Sequence, residues 1–127
     1  MKLLVLDDNP WSLGVSDWRE CVPGLTVDVL THPEQIEKLT IEDLAGYGAL
    51  LLDHRMPYKT GAEVATELRA RSSAIPVFKI GSFNESGYPE GCMYLGKMLS
   101  IPKIRGLVKY LGGELTQEKF QEVLHGY

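Results

Sequence analysis

A chain of 127 residues with 44% apolar and 24% charged side chains is long enough to bury one core and too short for two, so one domain has to carry the function. A net charge of −4 argues against a broad electrostatic surface for nucleic acid, and nucleic-acid binding is not expected. No apolar run approaches a membrane span, and Asp7 and Asp8 cut the opening run of residues 1–6 before a secretory core forms, which predicts a cytoplasmic protein without a membrane role.

Lys2 to Leu6 is an unbroken apolar strand signal, and Asn9-Pro10 suits the cap and first turn of a helix. That helix is expected from about Pro10 to Cys21, with Trp11, Val15 and Trp18 packing from related faces, and Pro23-Gly24 ends it. Leu25 to Leu30 is a second strand. Pro33 opens a helical stretch that carries Ile36 and Leu39, Thr40 restarts it before Leu44, and Gly46 stops it. Ala49 to Leu52 is a short apolar strand, followed by the turn-rich residues 56–61 and a helix with Val64 and Leu68 one turn apart.

Pro76 to Ile80 predicts strand four. The residues after it, 82–91, contain two serines, an asparagine, a proline and two glycines, which is a loop composition without helical period. Met93 to Leu95 reads as strand five, and Ile101, Ile104, Leu107, Val108 and Leu111 trace one helical face. Beyond Gly112-Gly113, Thr116 caps a further helix in which Leu115 and Phe120 form a hydrophobic staple. Its apolar side, completed by Val123 and Leu124, has to be covered, and a dimer or partner contact is one expectation for it. Cys21 and Cys92 lack His or Cys neighbours at ligand spacing and are read as small buried apolar groups.

Alternating apolar strands and helices predict an α/β protein, with a parallel sheet covered on both faces. In such sheets ligands bind beyond the carboxyl ends of the strands, where the strand order reverses. Asp7 and Asp8 close strand one and Asp53 closes strand three, and in the order 2-1-3-4-5 these strands are neighbours, with ends ~5 Å apart. Converging carboxylates repel unless protonated or bridged by a cation, and Mg²⁺ suits the task because it accepts carboxylate oxygens and takes phosphate oxygens as further ligands. Lys97 ends strand five, placed to meet charge developing on a transferring phosphoryl group, and the carboxylate of Asp53 is the candidate nucleophile.

These residues carry a resemblance to the receiver domains of response regulators, the CheY-like family, over residues 2–112. Residues 4–9 (Leu-Val-Leu-Asp-Asp-Asn) resemble the family's acidic pair, residues 51–57 with Gly61 its phosphoacceptor stretch, and residues 94–97 (Tyr-Leu-Gly-Lys) its lysine segment. The resemblance implies a flavodoxin-like five-stranded sheet as domain 1–112, and the helix read beyond it makes 113–127 a C-terminal helical extension. It implies Asp53 as phosphoacceptor, Asp8 as a direct Mg²⁺ ligand, Asp7 as an ion positioner, the backbone carbonyl of Arg55 as a further ligand, and Lys97 as the group that holds the phosphoryl. The implied role is signalling rather than turnover: a phosphoryl group taken from a histidine kinase or phosphotransfer protein, self-catalysed transfer and hydrolysis, and output through a downstream protein contact.

Three departures stand out. The family's Ser or Thr at the end of strand four is Gly81 here, with Ser82 one residue on as a substitute and switch candidate beside Tyr94, which resembles the family's rotating aromatic. The segment between strands four and five is too short and loop-like for the usual helix. The proline that follows the family's lysine is Met98. Two rivals follow: a pseudo-receiver that works by protein contact without phosphorylation, and a flavodoxin-like cofactor binder, which the acidic turn after strand one disfavours because it repels phosphate unless metal is present. His54 is read as an exposed loop histidine without a task.

Overall fold

The computed structural model describes residues 1–126. Five parallel strands, β1 (Lys2–Leu6), β2 (Thr26–Leu30), β3 (Ala49–Asp53), β4 (Val77–Ile80) and β5 (Met93–Gly96), form one sheet in the order β2-β1-β3-β4-β5. This is the expected fold. The central strands are continuous apolar runs because both of their faces are covered: Leu3 to Leu6 and Ala49 to Leu52 are all fully buried.

Alternation along the strands divides these side chains between two cores. Leu3, Val5 and Leu51 face Trp18, Ile104, Leu107 and Phe120, which come from α1 (Val15–Cys21), α5 (Ile101–Leu111) and α6 (Gln117–Gly126). Leu4, Leu6, Leu50 and Leu52 face Ile36, Leu44, Val64 and Leu68 from α2 (Pro33–Glu37), α3 (Ile41–Ala45) and α4 (Gly61–Ala70). Thr40 and Thr60 cap α3 and α4 through reciprocal capping boxes with Asp43 and Glu63. His32 does the same for α2 with Gln35, a role its residue type does not advertise.

Several expectations need correction. The first helix is not continuous from Pro10: a 3₁₀ turn (Pro10–Ser12) is separated from α1 by Gly14 in left-handed backbone. This break turns Trp11 outward, where it is 81% exposed, while Trp18 remains buried and donates its indole N–H to the carbonyl of Leu99 at 3.0 Å. Asn9 does not cap through its side chain; its backbone N–H donates instead to Asp7 Oδ1 at 2.9 Å. Cys21 is exposed at the last residue of α1 and Cys92 is half-buried, so neither is the buried apolar group expected.

The C-terminal helix forms as expected, with the backbone N–H of Lys119 donating to Thr116 Oγ1. Its apolar side is covered by the chain itself: Phe120 is fully buried and stacks on Tyr110 of α5, with ring centroids 4.9 Å apart. Gly106 makes room, since a Cβ there would come within 3.0 Å of Val123. Leu124 packs on the same core, and Val123 and Leu124 remain half-buried. Tyr127, the last residue of the expected extension, lies outside the described residues.

Candidate functional site

The register of β1 on β3 sets Leu6 opposite Leu52, so the next residues, Asp7 and Asp53, emerge side by side at the carboxyl edge. The backbone N–H of Asp7 pairs with the carbonyl of Leu30 on the other flank, which fixes the start of the turn. Carboxylate oxygens of Asp7, Asp8 and Asp53 all lie within 4.8 Å of one another. Asp7 is buried, Asp53 half-buried and Asp8 exposed. Burial, then the charge of Asp7, pushes the Asp53 carboxyl up to about 7. Asp7 is raised as well, chiefly by its own burial and against the hydrogen bond from Asn9.

This donor set fits a hard divalent cation. Three carboxylates from adjoining turns stand closer than their charges tolerate, and an oxygen-seeking ion relieves that repulsion without bulky ligands. Arg55, whose carbonyl the sequence nominates as a further ligand, follows Asp53 by two residues and shares a cavity of about 180 Å³ with it.

That cavity is also lined by His54, Gly81, Ser82, Phe83 and Glu85. Ser82 therefore reaches the neighbourhood of Asp53, and Gly81 comes closer still. A Cβ on Gly81 would lie 3.3 Å from Asp53 Oδ1, and its φ of +122° is a backbone conformation that other residues rarely adopt. Tyr94 turns inward and donates its hydroxyl to the Gly81 carbonyl at 2.5 Å. Lys97 is exposed and makes no ion pair with the acidic cluster among the described residues.

The end of β5 is irregular. Lys79 pairs with Tyr94 but Ile80 with Gly96, so Leu95 is an extra residue bulged out of the ladder. The buried Lys103 amine donates to the Leu95 carbonyl at 3.3 Å, and a Cβ on Gly96 would sit 3.2 Å from that amine. No peptide bond among the described residues is cis.

Sequence reasoning missed three residues beside the site. His54 is not idle: its Nδ1 lies 3.1 Å from the Tyr88 hydroxyl and its Nε2 3.9 Å from Glu85, which also faces Arg55 Nη2 at 3.8 Å. Burial and the charge of Asp53 push the Tyr88 hydroxyl well above its ordinary pKa, so it is a neutral hydrogen-bonding group. Gly61 accommodates it, because a Cβ there would come within 2.3 Å of both the Tyr88 hydroxyl and the Asp53 carbonyl. Tyr88 and Glu85 belong to a segment without regular structure, so no periodicity announced their contacts.

Four large apolar side chains are exposed on loops at this end of the sheet: Trp11 after β1, Tyr58 after β3, Phe83 after β4 and Met98 after β5, between 59% and 81%. Lys59, beside Tyr58, is held by Glu37 and by Glu67 at 2.7 Å, which fastens the loop after β3 to α2 and α4.

No protein-family model matches the chain, and no curated protein matches it significantly in sequence. Solved structures do match in shape. A Francisella response regulator receiver domain superposes with a TM-score of 0.67 at 23% identity, over 87% of this chain and 94% of that one. The response regulator TrrA of Thermotoga maritima, solved in complex with Mg²⁺ and BeF, gives 0.69 at 22% identity, over 87% and 97%. TrrA in complex with the histidine kinase ThkA gives 0.65 at 23%, over the same shares. Strand order, a carboxylate cluster on the turns after β1 and β3, and these superpositions together make the chain's architecture that of a response-regulator receiver domain.

Proposed function

We propose that the chain is a receiver module of two-component signalling that accepts a phosphoryl group on Asp53 from a histidine kinase or phosphotransfer protein. The observation that carries this reading is the cluster of Asp7, Asp8 and Asp53 within 4.8 Å, with Asp53 raised to about 7 by burial and its acidic neighbours. The superposition on a receiver solved with Mg²⁺ and BeF, and on one solved with its kinase, supports it.

Asp7, Asp8, Asp53 and the Arg55 carbonyl would hold Mg²⁺, which supplies charge neutralisation for phosphoryl oxygens. The Asp53 carboxylate oxygen attacks phosphorus; a P–O bond forms as the donor's P–N bond breaks, and the nitrogen keeps the electron pair and takes a proton. Ser82 hydrogen-bonds a phosphoryl oxygen, and Lys97 swings in from solvent to pair with the transferred group. Tyr94, tied to Gly81, senses the change at the end of β4. The exposed side chains of Trp11, Tyr58, Phe83 and Met98 give a protein donor apolar contacts around the acceptor. A cytoplasmic location accompanies this reading; no helix among the described residues is long and apolar enough to cross a membrane.

The pseudo-receiver reading keeps a specific support of its own, in Gly81 where a hydroxyl would stand and in Lys97 without an acidic partner among the described residues. Intact mass after incubation with Mg²⁺ and acetyl phosphate decides between the two. The expected result is a labile gain of one phosphoryl group that Asp53→Ala abolishes; a parent chain that gains nothing is a pseudo-receiver.

A further inference from the structure

Lys97 stands in the link of residues 97–100, between Gly96 at the end of β5 and Ile101 at the start of α5. Little in the covalent chain stiffens this link: Gly96 has φ +95°, and Met98 stands where a proline would lock φ. Two buried hydrogen bonds hold it instead. On one side of Lys97, the Lys103 amine donates to the Leu95 carbonyl at 3.3 Å. On the other, the Trp18 indole of α1 donates to the Leu99 carbonyl at 3.0 Å, across 81 residues of sequence. Leu95 and Leu99 are themselves buried, while Lys97 and Met98 between them stand in solvent.

We propose that Trp18 and Lys103 are positioning residues for phosphoryl transfer: by pinning the backbone on both sides of Lys97 they hold it at the rim of the Asp53 cavity, so that only the lysine side chain moves to meet the phosphoryl group. This rests on the reading of Asp53 as phosphoacceptor and of Lys97 as the cation that pairs with the transferred group. The Gly96 carbonyl, bonded to the Lys97 nitrogen, accepts the Gly81 N–H at 3.3 Å, and a Cβ on Gly81 would lie 3.3 Å from Asp53 Oδ1. Lys97 therefore leaves the sheet one hydrogen-bonded neighbour away from the acceptor. From a fixed backbone, its flexible four-carbon stem gives up only its own rotamers on pairing. A link free to move would also have to order the backbone of each of its residues, and that entropy would add to the barrier. Because α1 follows the turn of Asp7 and Asp8, the indole bond also joins the acidic side of the site to the lysine side.

The test is the rate of phosphoryl gain by intact mass, with Mg²⁺ and acetyl phosphate, in the parent, Lys97→Ala, Trp18→Phe and the double variant. A P–O bond forms at Asp53 as the donor's P–O bond breaks, acetate leaving with the electron pair. Trp18→Phe keeps an aromatic ring in the core, removes the indole N–H, and is expected to slow the gain roughly three- to tenfold. In the Lys97→Ala background the same substitution is expected to change nothing further, since its effect runs through Lys97. A parent-like rate in Trp18→Phe overturns the proposal, and so does an equal slowing with and without Lys97, which marks a purely structural residue. Should Trp18→Phe fail to fold, Lys103→Met frees the other carbonyl and is held to the same two outcomes. Lys97→Ala at the parent rate overturns the inference and leaves Asp53 standing as phosphoacceptor. No gain in the parent chain removes both.

Discussion

Asp53 is the residue at which stability and function pull in opposite directions. Its carboxyl is raised from 3.8 to about 7, so above neutral pH the folded chain holds an ionised group where burial and Asp7 oppose it. Asp53→Asn removes that charge and keeps the size. In the absence of divalent ions at pH 8, this variant is expected to be more stable than the parent by about 1–2 kcal/mol in urea unfolding, with an unchanged slope. A less stable variant would mean that the acids do not repel. Gly81 illustrates the same economy in backbone: the approach of its Cα to Asp53 leaves no ordinary room for the hydroxyl side chain that the family resemblance implies at that position. The residue type was plain from the sequence; that its backbone fills the space was not.

Among the elements, α6 bears on stability rather than on chemistry. Phe120 is fully buried, stacks on Tyr110, and closes the core that α1 and α5 share with β1 and β3. Phe120→Ala leaves a cavity under α5 and is expected to cost about 3–5 kcal/mol in denaturant unfolding, without changing the phosphoryl gain seen by mass. A loss below ~1 kcal/mol would show that α6 is an appendage rather than part of the core. The cap at Thr116 and the staple at Phe120 announced this helix in the sequence, because caps and staples are local. What its apolar side would meet was not announced, since Tyr110 and Gly106 lie a full turn-and-loop away on α5. The segment between β4 and β5 is the converse case: its lack of a helix was legible from its glycines and proline, while its attachment through Glu85 and Tyr88 was not.

For the protein as a unit, the acidic cluster makes stability depend on pH and on magnesium together. A carboxyl raised in the folded state binds its proton more tightly folded than unfolded. The stability it contributes is therefore complete below about 3.8 and lost as pH rises through about 7. Without a divalent ion, this group makes stability fall across that window. Magnesium competes with the proton, so its stabilising effect is expected to be small near pH 5 and to grow through pH 7 and 8. At a concentration ~100 times its dissociation constant it adds about 2.7 kcal/mol, a shift readily seen in thermal unfolding. A magnesium shift that is equal at pH 5 and pH 8, or that survives in Asp53→Asn, would count against the cluster as the binding site.

The strands, their order and the convergence of Asp7, Asp8 and Asp53 were readable from residues alone, because apolar runs and strand-end acids are patterns within short stretches and the parallel α/β arrangement has few solutions. The break at Gly14 that exposes Trp11, the bulge at Leu95 that Lys103 supports, the outward Lys97 and the cluster of His54, Glu85 and Tyr88 were settled by packing. Each of these depends on side chains from distant segments competing for one space or one hydrogen bond, and no local pattern records the outcome of that competition.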